Sequence, residues 1–133
     1  METEPAIYIT YAEAVWLHIC LMRYLGETRY GIFNRSLVES ALARPQQAAA
    51  FENADLLRQA APLLYGLIKN HPWVGGNKRT ATVLVEYFLS RDGMELVAPT
   101  KDLIELTLSV ESDKWKIDEI EIWLRRHCKE VAE

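Results

Sequence analysis

One short segment combines residue types that could perform chemistry on an anionic ligand. It runs from His71 to Thr80 and reads His-Pro-Trp-Val-Gly-Gly-Asn-Lys-Arg-Thr. Pro72 should end a preceding helix, and the two glycines let the backbone approach a ligand closely. A new helix then begins near Asn77, so its first backbone N–H groups have no partner within the helix. A helix N-terminus that follows glycines favours the binding of phosphate.

The same segment carries two cations and one base. Lys78 and Arg79 lie in the first turn of the predicted helix, where an exposed positive charge opposes the helix dipole by about 0.3–1 kcal/mol per residue. A bound anion would offset that cost. A histidine can accept a proton from a hydroxyl near neutral pH, and His71 lies across the loop from the two cations. A base that faces a phosphate site is the minimal arrangement for phosphoryl or nucleotidyl transfer to a protein side chain.

The order of these residues resembles the motif of the Fic/Doc family, and specifically that of its Doc branch, the death-on-curing toxins of toxin–antitoxin modules. The family motif is His-x-Phe-x-Asp/Glu-Gly/Ala-Asn-Gly/Lys-Arg, and residues 71–79 read His-Pro-Trp-Val-Gly-Gly-Asn-Lys-Arg. Residues 39–46, 64–67 and 123–127 also look like Doc sequences, so the resemblance covers nearly the whole chain. It implies a single domain over 1–133 with an all-α fold, a compact bundle of about six helices with at most one small β pair or flap.

The resemblance also implies a role for each motif residue. His71 matches the histidine that activates the target hydroxyl, and Lys78 and Arg79 complete the expected catalytic set. The positions expected to bind the phosphates of the nucleotide, with backbone amides at the helix start, are Gly75, Gly76, Asn77, Lys78 and Arg79.

Two positions favour phosphoryl transfer over AMP transfer. Relatives that transfer AMP have glycine where Lys78 stands, and they have a second arginine where Thr82 stands. The Doc branch is associated with phosphorylation of elongation factor Tu. The resemblance therefore implies a kinase that moves a phosphoryl group from ATP to a hydroxyl of a translation factor, and a Fic-type AMP transferase is the alternative that Lys78 disfavours.

The main departure from the family motif is Gly75, which stands where the family has an acid that holds magnesium. Glycine offers no carboxylate oxygen, so no metal ligand is assigned and the use of Mg²⁺ with ATP is left open. Three alternatives follow. Magnesium binds through ATP and a carboxylate elsewhere, such as Glu52; the protein is a weakened enzyme that still binds nucleotide; or it is catalytically silent and acts by binding its partner. Trp73 replaces the usual Phe and is predicted to anchor the loop in the core.

The resemblance also implies how the activity is controlled. Two segments, Thr82 to Glu86 and Thr107 to Glu111, have part of the spacing of a self-inhibitory pattern found in Fic proteins. Tyr87 and Ser112 follow them where the pattern has Gly or Asn, and both segments lie in predicted structural helices. We therefore expect inhibition in trans, by an antitoxin whose tail folds as a helix into a groove of this chain. The expected partners are that antitoxin and the translation factor.

The elements on either side of the motif are predicted from periodicity and capping residues. Thr10 and Glu13 form a capping box for a helix that ends near Tyr24, with Val15, Trp16, Ile19, Cys20 and Met22 as its buried face. Asn34 begins a second helix that stops before Pro45, and residues 45–53 form a loop or weak hairpin. Residues 54–69 form a central helix kinked or restarted at Pro62.

Four further elements complete the prediction. Residues 77–90 form an apolar helix that Gly93 closes. Residues 6–9 and 95–98 are predicted to pair as two short strands. Thr100 caps a helix over 101–110, and the last helix covers 117–128 with Ile120 and Trp123 facing inward.

Composition limits the classes of function. Apolar residues make up 50% of the 133-residue chain and no run of 18 apolar residues occurs, which predicts one folded domain without a membrane span. The net charge of −4 disfavours direct binding to nucleic acid. The acidic start of the chain, residues 1–5, predicts no secretory signal, and the distant Cys20 and Cys128 suggest reduced thiols. We therefore expect a cytoplasmic protein that contacts neither membranes nor nucleic acid.

Overall fold

The computed structural model describes residues 5–131 and has six helices and one small sheet over that range. The acidic residues 1–4, on which most of the expectation about a secretory signal depends, lie outside the described residues. The elements are α1 (Tyr11–Tyr24), α2 (Arg35–Glu52), α3 (Leu56–Asn70), α4 (Asn77–Ser90), β1 (Met94–Leu96), α5 (Thr100–Glu111), α6 (Ile117–His127) and β2 (Cys128–Glu130). The predicted all-α bundle with one small β pair is confirmed.

Helix α3 lies at the centre of the bundle, as its sequence predicts. It packs against α2, α4, α5 and α6. Most of its circumference is buried, including Leu63, Leu64, Leu67 and Ile68, each at most 1% exposed. Each such side chain contributes about 1.5–3 kcal/mol by leaving water. The segments that enter and leave α3 are therefore fixed to the most rigid part of the molecule.

Capping residues set the starts of the first three helices. The capping box of Thr10 and Glu13 is present on α1, and the Asn34 side chain accepts a hydrogen bond from Leu37 N at 3.2 Å on α2. Both were predicted. Asp55 caps α3 by accepting from Arg58 N at 3.0 Å, so this helix begins two residues later than predicted.

The prediction that the second helix ends before Pro45 is wrong, and so is the loop or hairpin at 45–53. Helix α2 continues through Pro45 to Glu52. A proline inside a helix removes one backbone hydrogen bond. Here Ala41, Pro45 and Ala48 form a buried face on α3, and this packing outweighs the loss. Pro62 likewise lies inside an uninterrupted α3.

The predicted pairing of residues 6–9 with 95–98 is also wrong. Strand β1 pairs antiparallel with β2 at the end of the chain, with Glu95 opposite Lys129. Residues 6–9 form no strand. Ile9 is buried in the core instead, and Ile7 N donates to Asp92 Oδ2 at 3.2 Å. Short β-favouring runs define an extended backbone, but tertiary contacts choose the partner.

The predicted buried face of α1 is wrong in part. The buried face of α1 consists of Ala14, His18 and Met22, whereas Trp16 is 66% exposed and Cys20 is exposed as a free thiol. The predicted face was turned around the helix axis relative to the observed one, because the prediction counted only apolar residues as buried and so left out His18.

The predicted range 77–90 of α4 is confirmed, whereas its capping residue and the limits of α5 and α6 differ from prediction. Helix α5 begins at Thr100 itself after Pro99, with no side-chain cap. Helix α4 ends at Ser90 with Arg91 as its cap, and Gly93 follows in the turn with a φ of 80°. Helix α6 ends at His127, one residue earlier than predicted, and buries Ile120 and Trp123 as expected.

Candidate functional site

The motif loop lies between the end of α3 and the start of α4. His71 caps α3 in the left-handed region, with a φ of 47°, and Gly76 caps α4 with a φ of 68°. The positive φ of Gly76 is one that L side chains rarely adopt, so the backbone angle favours glycine here, and a Cβ would also lie 2.5 Å from the Met22 sulfur. The loop is thereby held close to α1.

A second segment, residues 29–34, packs against the motif loop and is called the clamping segment below. Pro72 O accepts hydrogen bonds from Phe33 N at 2.9 Å and from Asn34 N at 3.2 Å. Val74 N donates to Gly31 O at 2.9 Å. These bonds satisfy the loop backbone and fix its path before any ligand arrives.

The Asn77 side chain shapes the loop from within. Its Oδ1 accepts from Trp73 N and its Nδ2 donates to Trp73 O, each at 3.0 Å. The amide predicted to bind phosphate is thus engaged with the loop backbone. Trp73 itself is 2% exposed and anchors the loop in the core, as predicted.

A buried histidine that the sequence analysis passed over supports the loop from below. His18 Nε2 accepts a hydrogen bond from Gly31 N at 3.0 Å, so Nδ1 carries the proton and donates to Thr80 Oγ1 at 2.8 Å. Its ring also stacks on Trp73 with centroids 4.2 Å apart. Burial lowers the pKa of His18 to about 4, so the ring is neutral at physiological pH.

The three residues expected to perform chemistry lie together at the surface. Helix α4 has no side-chain cap at its N-terminus, and its first backbone bond runs from Thr80 N to Gly76 O. Lys78 and His71 both face one carboxylate, with Glu111 Oε2 3.0 Å from Lys78 Nζ and 3.5 Å from His71 Nε2. Arg79 is exposed on the same turn. The structure thus brings His71 and Lys78 together at Glu111, beside the uncapped N-terminus of α4, with Arg79 exposed on the same turn.

Glu111 is the site residue that spacing alone did not place here. In the sequence it belongs to an incomplete inhibitory pattern, and in the structure it is the last residue of α5. Glu111 lies 33 positions after Lys78 in the sequence, and it reaches the Lys78 side chain because α5 packs against α3. Local sequence carries no signal for that contact.

The residues near the motif do not fit a magnesium ion held by the protein. Gly75 has no side chain that could bind a metal ion. A Cβ there would lie 2.6 Å from Arg29 O, so the backbone of the clamping segment occupies the space that an acidic side chain would need. Within residues 5–131, no group of three or more His, Cys, Asp or Glu side chains is placed to hold a metal.

Glu52 does not supply the missing carboxylate. It lies on the last turn of α2 and its Oε2 accepts from Arg58 Nε at 3.1 Å. Arg58 is on the first turn of α3, whereas His71 follows the last turn. The rise of about 1.5 Å per residue puts the two ends about 20 Å apart.

An apolar groove of about 540 Å³ leads away from the site. It lies between the end of α1, α4 and α5, and Lys78 and Arg79 form part of its wall. The apolar side chains that line it include Leu21, Tyr24, Val83, Leu103, Ile104 and Leu108. Tyr24, Ile104 and Leu108 are each about half exposed or more, so the groove presents apolar surface to solvent.

Comparison with known proteins agrees with this fold and motif. The model of the Fic/DOC family matches residues 8–89. Toxin Doc of Mycolicibacterium smegmatis is 42% identical over 64 residues, which cover 47% of this chain and about half the length of that relative. The N-terminal Fic domain of a VirB-translocated Bep effector protein from Bartonella quintana superposes with a TM-score of 0.61. The superposition covers 96% of this chain and 75% of the neighbour's chain, and the two are 14% identical in sequence. This likeness supports the fold alone.

The helical bundle and its histidine-containing loop define a protein of the Fic/Doc fold. The chain belongs to the Fic/DOC family, and the likeness to the Doc branch inferred from residues 71–79 is confirmed.

We predict that His18 makes the stability of the domain depend on pH. The unfolded chain takes up a proton at the ordinary histidine pKa of about 6.5, whereas the folded chain does so only near pH 4. The free energy of unfolding should therefore fall by up to about 2 kcal/mol between pH 6.5 and 5. Urea unfolding across that range measures the slope.

His18→Gln provides the control, because glutamine does not titrate. Glu13 does not contribute in this window, since the Thr10 N–H group and neighbouring hydrogen bonds lower its pKa to about 2. Equal slopes in both proteins, or a His18 ring that titrates above pH 6 by NMR, would contradict the assignment.

We also predict that Gly75→Asp destabilises the domain instead of restoring a motif acid. The new Cβ would collide with Arg29 O, and overpacking of this kind costs about 1–3 kcal/mol. Val74→Asp is the matched control, because it adds the same charge to an exposed neighbour. If both variants unfold at the same urea concentration, the close contact at Gly75 is not a constraint.

Proposed function

We propose that this protein is a Doc-like toxin that transfers a phosphoryl group from ATP to a hydroxyl of a translation factor of the elongation factor Tu type. One observation carries the proposal: a single negatively charged oxygen, here of Glu111, lies between the base His71 and the cation Lys78. The terminal phosphate of ATP would need the same two neighbours. Membership of the family and the identity with Toxin Doc support the same assignment.

The transfer follows from the roles that the geometry offers. The hydroxyl oxygen of the target attacks the γ-phosphorus of ATP as the bond from that phosphorus to the β-phosphate bridging oxygen breaks. His71 takes the hydroxyl proton, the target becomes a phosphate monoester, and ADP leaves. Lys78, Arg79 and the free N–H groups of α4 hold the negative charge that spreads over the transferred group.

Lys78 favours kinase activity over AMP transfer. Its side chain lies where glycine stands in relatives that transfer AMP, and its ammonium group is directed to Glu111 beside the base. Thr82 carries no positive charge and bonds to Lys78 O at 3.0 Å. One cation, Lys78, therefore lies close to the base, and position 82 carries no positive charge.

A catalytically silent partner-binding protein is the second candidate, because the clamping segment fills the space beside Gly75. The site needs a counter-charge for the phosphates, and Lys78 and Arg79 are the cations available in the motif. Whether these two cations alone can neutralise the phosphates decides between the kinase and the silent protein.

No helix in residues 5–131 is both long and apolar enough to cross a lipid bilayer. We propose that the protein acts in the cytoplasm.

The apolar groove suits an antitoxin tail that binds as a helix. The walls from α1, α4 and α5 offer apolar contacts, and Lys78 and Arg79 border it. A helix in this groove would use apolar residues at i, i+3, i+4 and i+7 and an acidic residue near Lys78 and Arg79. It would thereby cover the anion site, which links partner binding to loss of activity.

The nature of the transferred group is the first test of the proposal. Incubation with elongation factor Tu and γ-labelled ATP should label the factor, whereas α-labelled ATP should not, with and without magnesium. His71→Ala and Arg79→Ala should each lower the rate at least 100-fold, because they remove the base and a phosphate cation. Arg126→Ala, an exposed arginine of α6, is the matched control and should retain the rate.

Three outcomes would count against the kinase. Label from the α position would indicate AMP transfer. No label from either position, together with binding of a partner, would indicate a silent protein. Growth arrest that persists on expression of His71→Ala would remove that residue from the mechanism, provided that circular dichroism shows the variant to be folded.

The groove makes a separate prediction about the partner. Ile104→Asp should raise the dissociation constant for the proposed antitoxin at least tenfold, because a charge would enter an apolar contact. Ile122→Asp is the control, since Ile122 is equally exposed but lies on α6 outside this groove. Calorimetry and rescue of growth measure the difference, and equal affinities would place the partner elsewhere.

A further inference from the structure

A cavity of about 400 Å³ lies outside the motif, between α2, the first half of α3 and the start of α6. None of residues 71–79 lines it, and the proposed function makes no use of it. Its volume falls within the range of sites that bind small ligands. Its wall combines polar side chains from one face of α2 with two arginines and a few apolar side chains.

Arg44 has a fixed place in this wall without a partner of opposite charge. It lies over Gly66 of α3, where a Cβ would come within 2.8 Å of Arg44 Cδ and Nε, so glycine leaves room for the arginine. The guanidinium carbon is 5.6 Å from the centre of the Tyr65 ring, which is a cation–π contact. Among residues 5–131 the partly exposed guanidinium forms no ion pair and no hydrogen bond. Its N–H donors are therefore available to a ligand.

Three further side chains of α2 line the same cavity. Ser40, Gln47 and Phe51 follow Arg44 at helical spacing, which places all four on one face of the helix. Ser40 and Gln47 are exposed, and their side chains form no hydrogen bond within the described part of the chain. Phe51 is 86% exposed. An anion on Arg44 would therefore have a polar donor one turn to either side and an aromatic surface further along.

The second arginine of the cavity limits the charge that a ligand can carry. Arg58 pairs with Glu52 at 3.1 Å, with Asp118 at 2.8 Å and with Glu121 at 3.0 Å. Its positive charge is thus already balanced by acids. A ligand with one negative charge would match Arg44, whereas a doubly charged phosphate would also be repelled by the three carboxylates.

We propose that this cavity binds a carboxylate that carries an apolar group. The planar guanidinium of Arg44 can donate to both oxygens of a carboxylate, and Phe51 and Ile117 would cover the apolar part. A free organic acid and an acidic side chain of a peptide with an apolar neighbour present the same chemistry. The site does not depend on the proposed function.

NMR titration of the full chain with phenylacetate tests the assignment, with the backbone amide resonances of α2 as the reporter. The unchanged protein should bind phenylacetate more tightly than inorganic phosphate, acetate or phenethylamine. Arg44→Gln should weaken the binding of phenylacetate at least tenfold, because it removes a charged donor to the carboxylate. Arg35→Gln is the matched control, since it removes the same charge from the first turn of α2 outside the cavity. It should bind like the unchanged protein.

Phe51→Ser tests the apolar half of the site without disturbing the packing of Arg44 on α3. It should weaken the binding of phenylacetate by roughly threefold or more and leave the affinity for acetate unchanged. The peptide acetyl-Glu-Phe-amide separates the two sources of the ligand. Tighter binding of the peptide than of phenylacetate would identify a protein partner, and the reverse would identify a free acid.

Several results would overturn the assignment. One is an α2 that responds to neither phenylacetate nor the peptide at millimolar concentration. Tighter binding of phosphate, or equal binding of phenethylamine, would show that the cavity does not select a carboxylate. Equal affinity of Arg44→Gln and the unchanged protein would remove Arg44 from the site. If circular dichroism shows Arg44→Gln to be unfolded, Phe51→Ser decides, and unchanged affinity of that variant for phenylacetate would overturn the proposal.

Discussion

One buried imidazole determines where the motif loop can lie. His18 joins three parts of the chain that are distant in sequence, since it bonds to Gly31 and Thr80 and stacks on Trp73. Both of its nitrogens are used, so the ring has one tautomer and one orientation. The clamping segment, the motif loop and the first turn of α4 are thus aligned through a side chain that takes no part in the chemistry.

The charges at the start of α4 oppose the preference of the helix. Its first turn contains Lys78 and Arg79 and no acid, although the helix dipole favours acids there. Glu111 supplies from α5 the negative charge that the helix itself lacks. This contact relieves the unfavourable arrangement in the free protein, and an anionic ligand would do the same. The same unfavourable charge at the start of α4 accounts for the internal ion pair.

Local signals predicted what local interactions decide. The capping residues Thr10 and Asn34 and the His71–Arg79 loop were read correctly because each acts within a few positions. The prediction of a helix end at Pro45 was wrong because the free-energy cost of a proline inside the helix is smaller than the gain from packing α2 on α3. That packing is a tertiary interaction, and the local sequence pattern does not show it. The contacts of His18 and Glu111 span 62 and 33 positions, so no spacing in the sequence shows them. The site was predictable as a motif, but its support and its opposing charge were not.

The motif divides into residues that build the loop and residues that act on a ligand. Trp73, Gly76 and Asn77 are engaged with the fold, through the core, Met22 and the loop backbone respectively. The side chains of His71 and Lys78 are partly exposed, and among the described residues they pair only with Glu111. An active enzyme and a silent relative would need the first set equally, so presence of the motif alone does not separate them. The positions that could separate the two are therefore those with charged side chains open to solvent, His71 and Lys78.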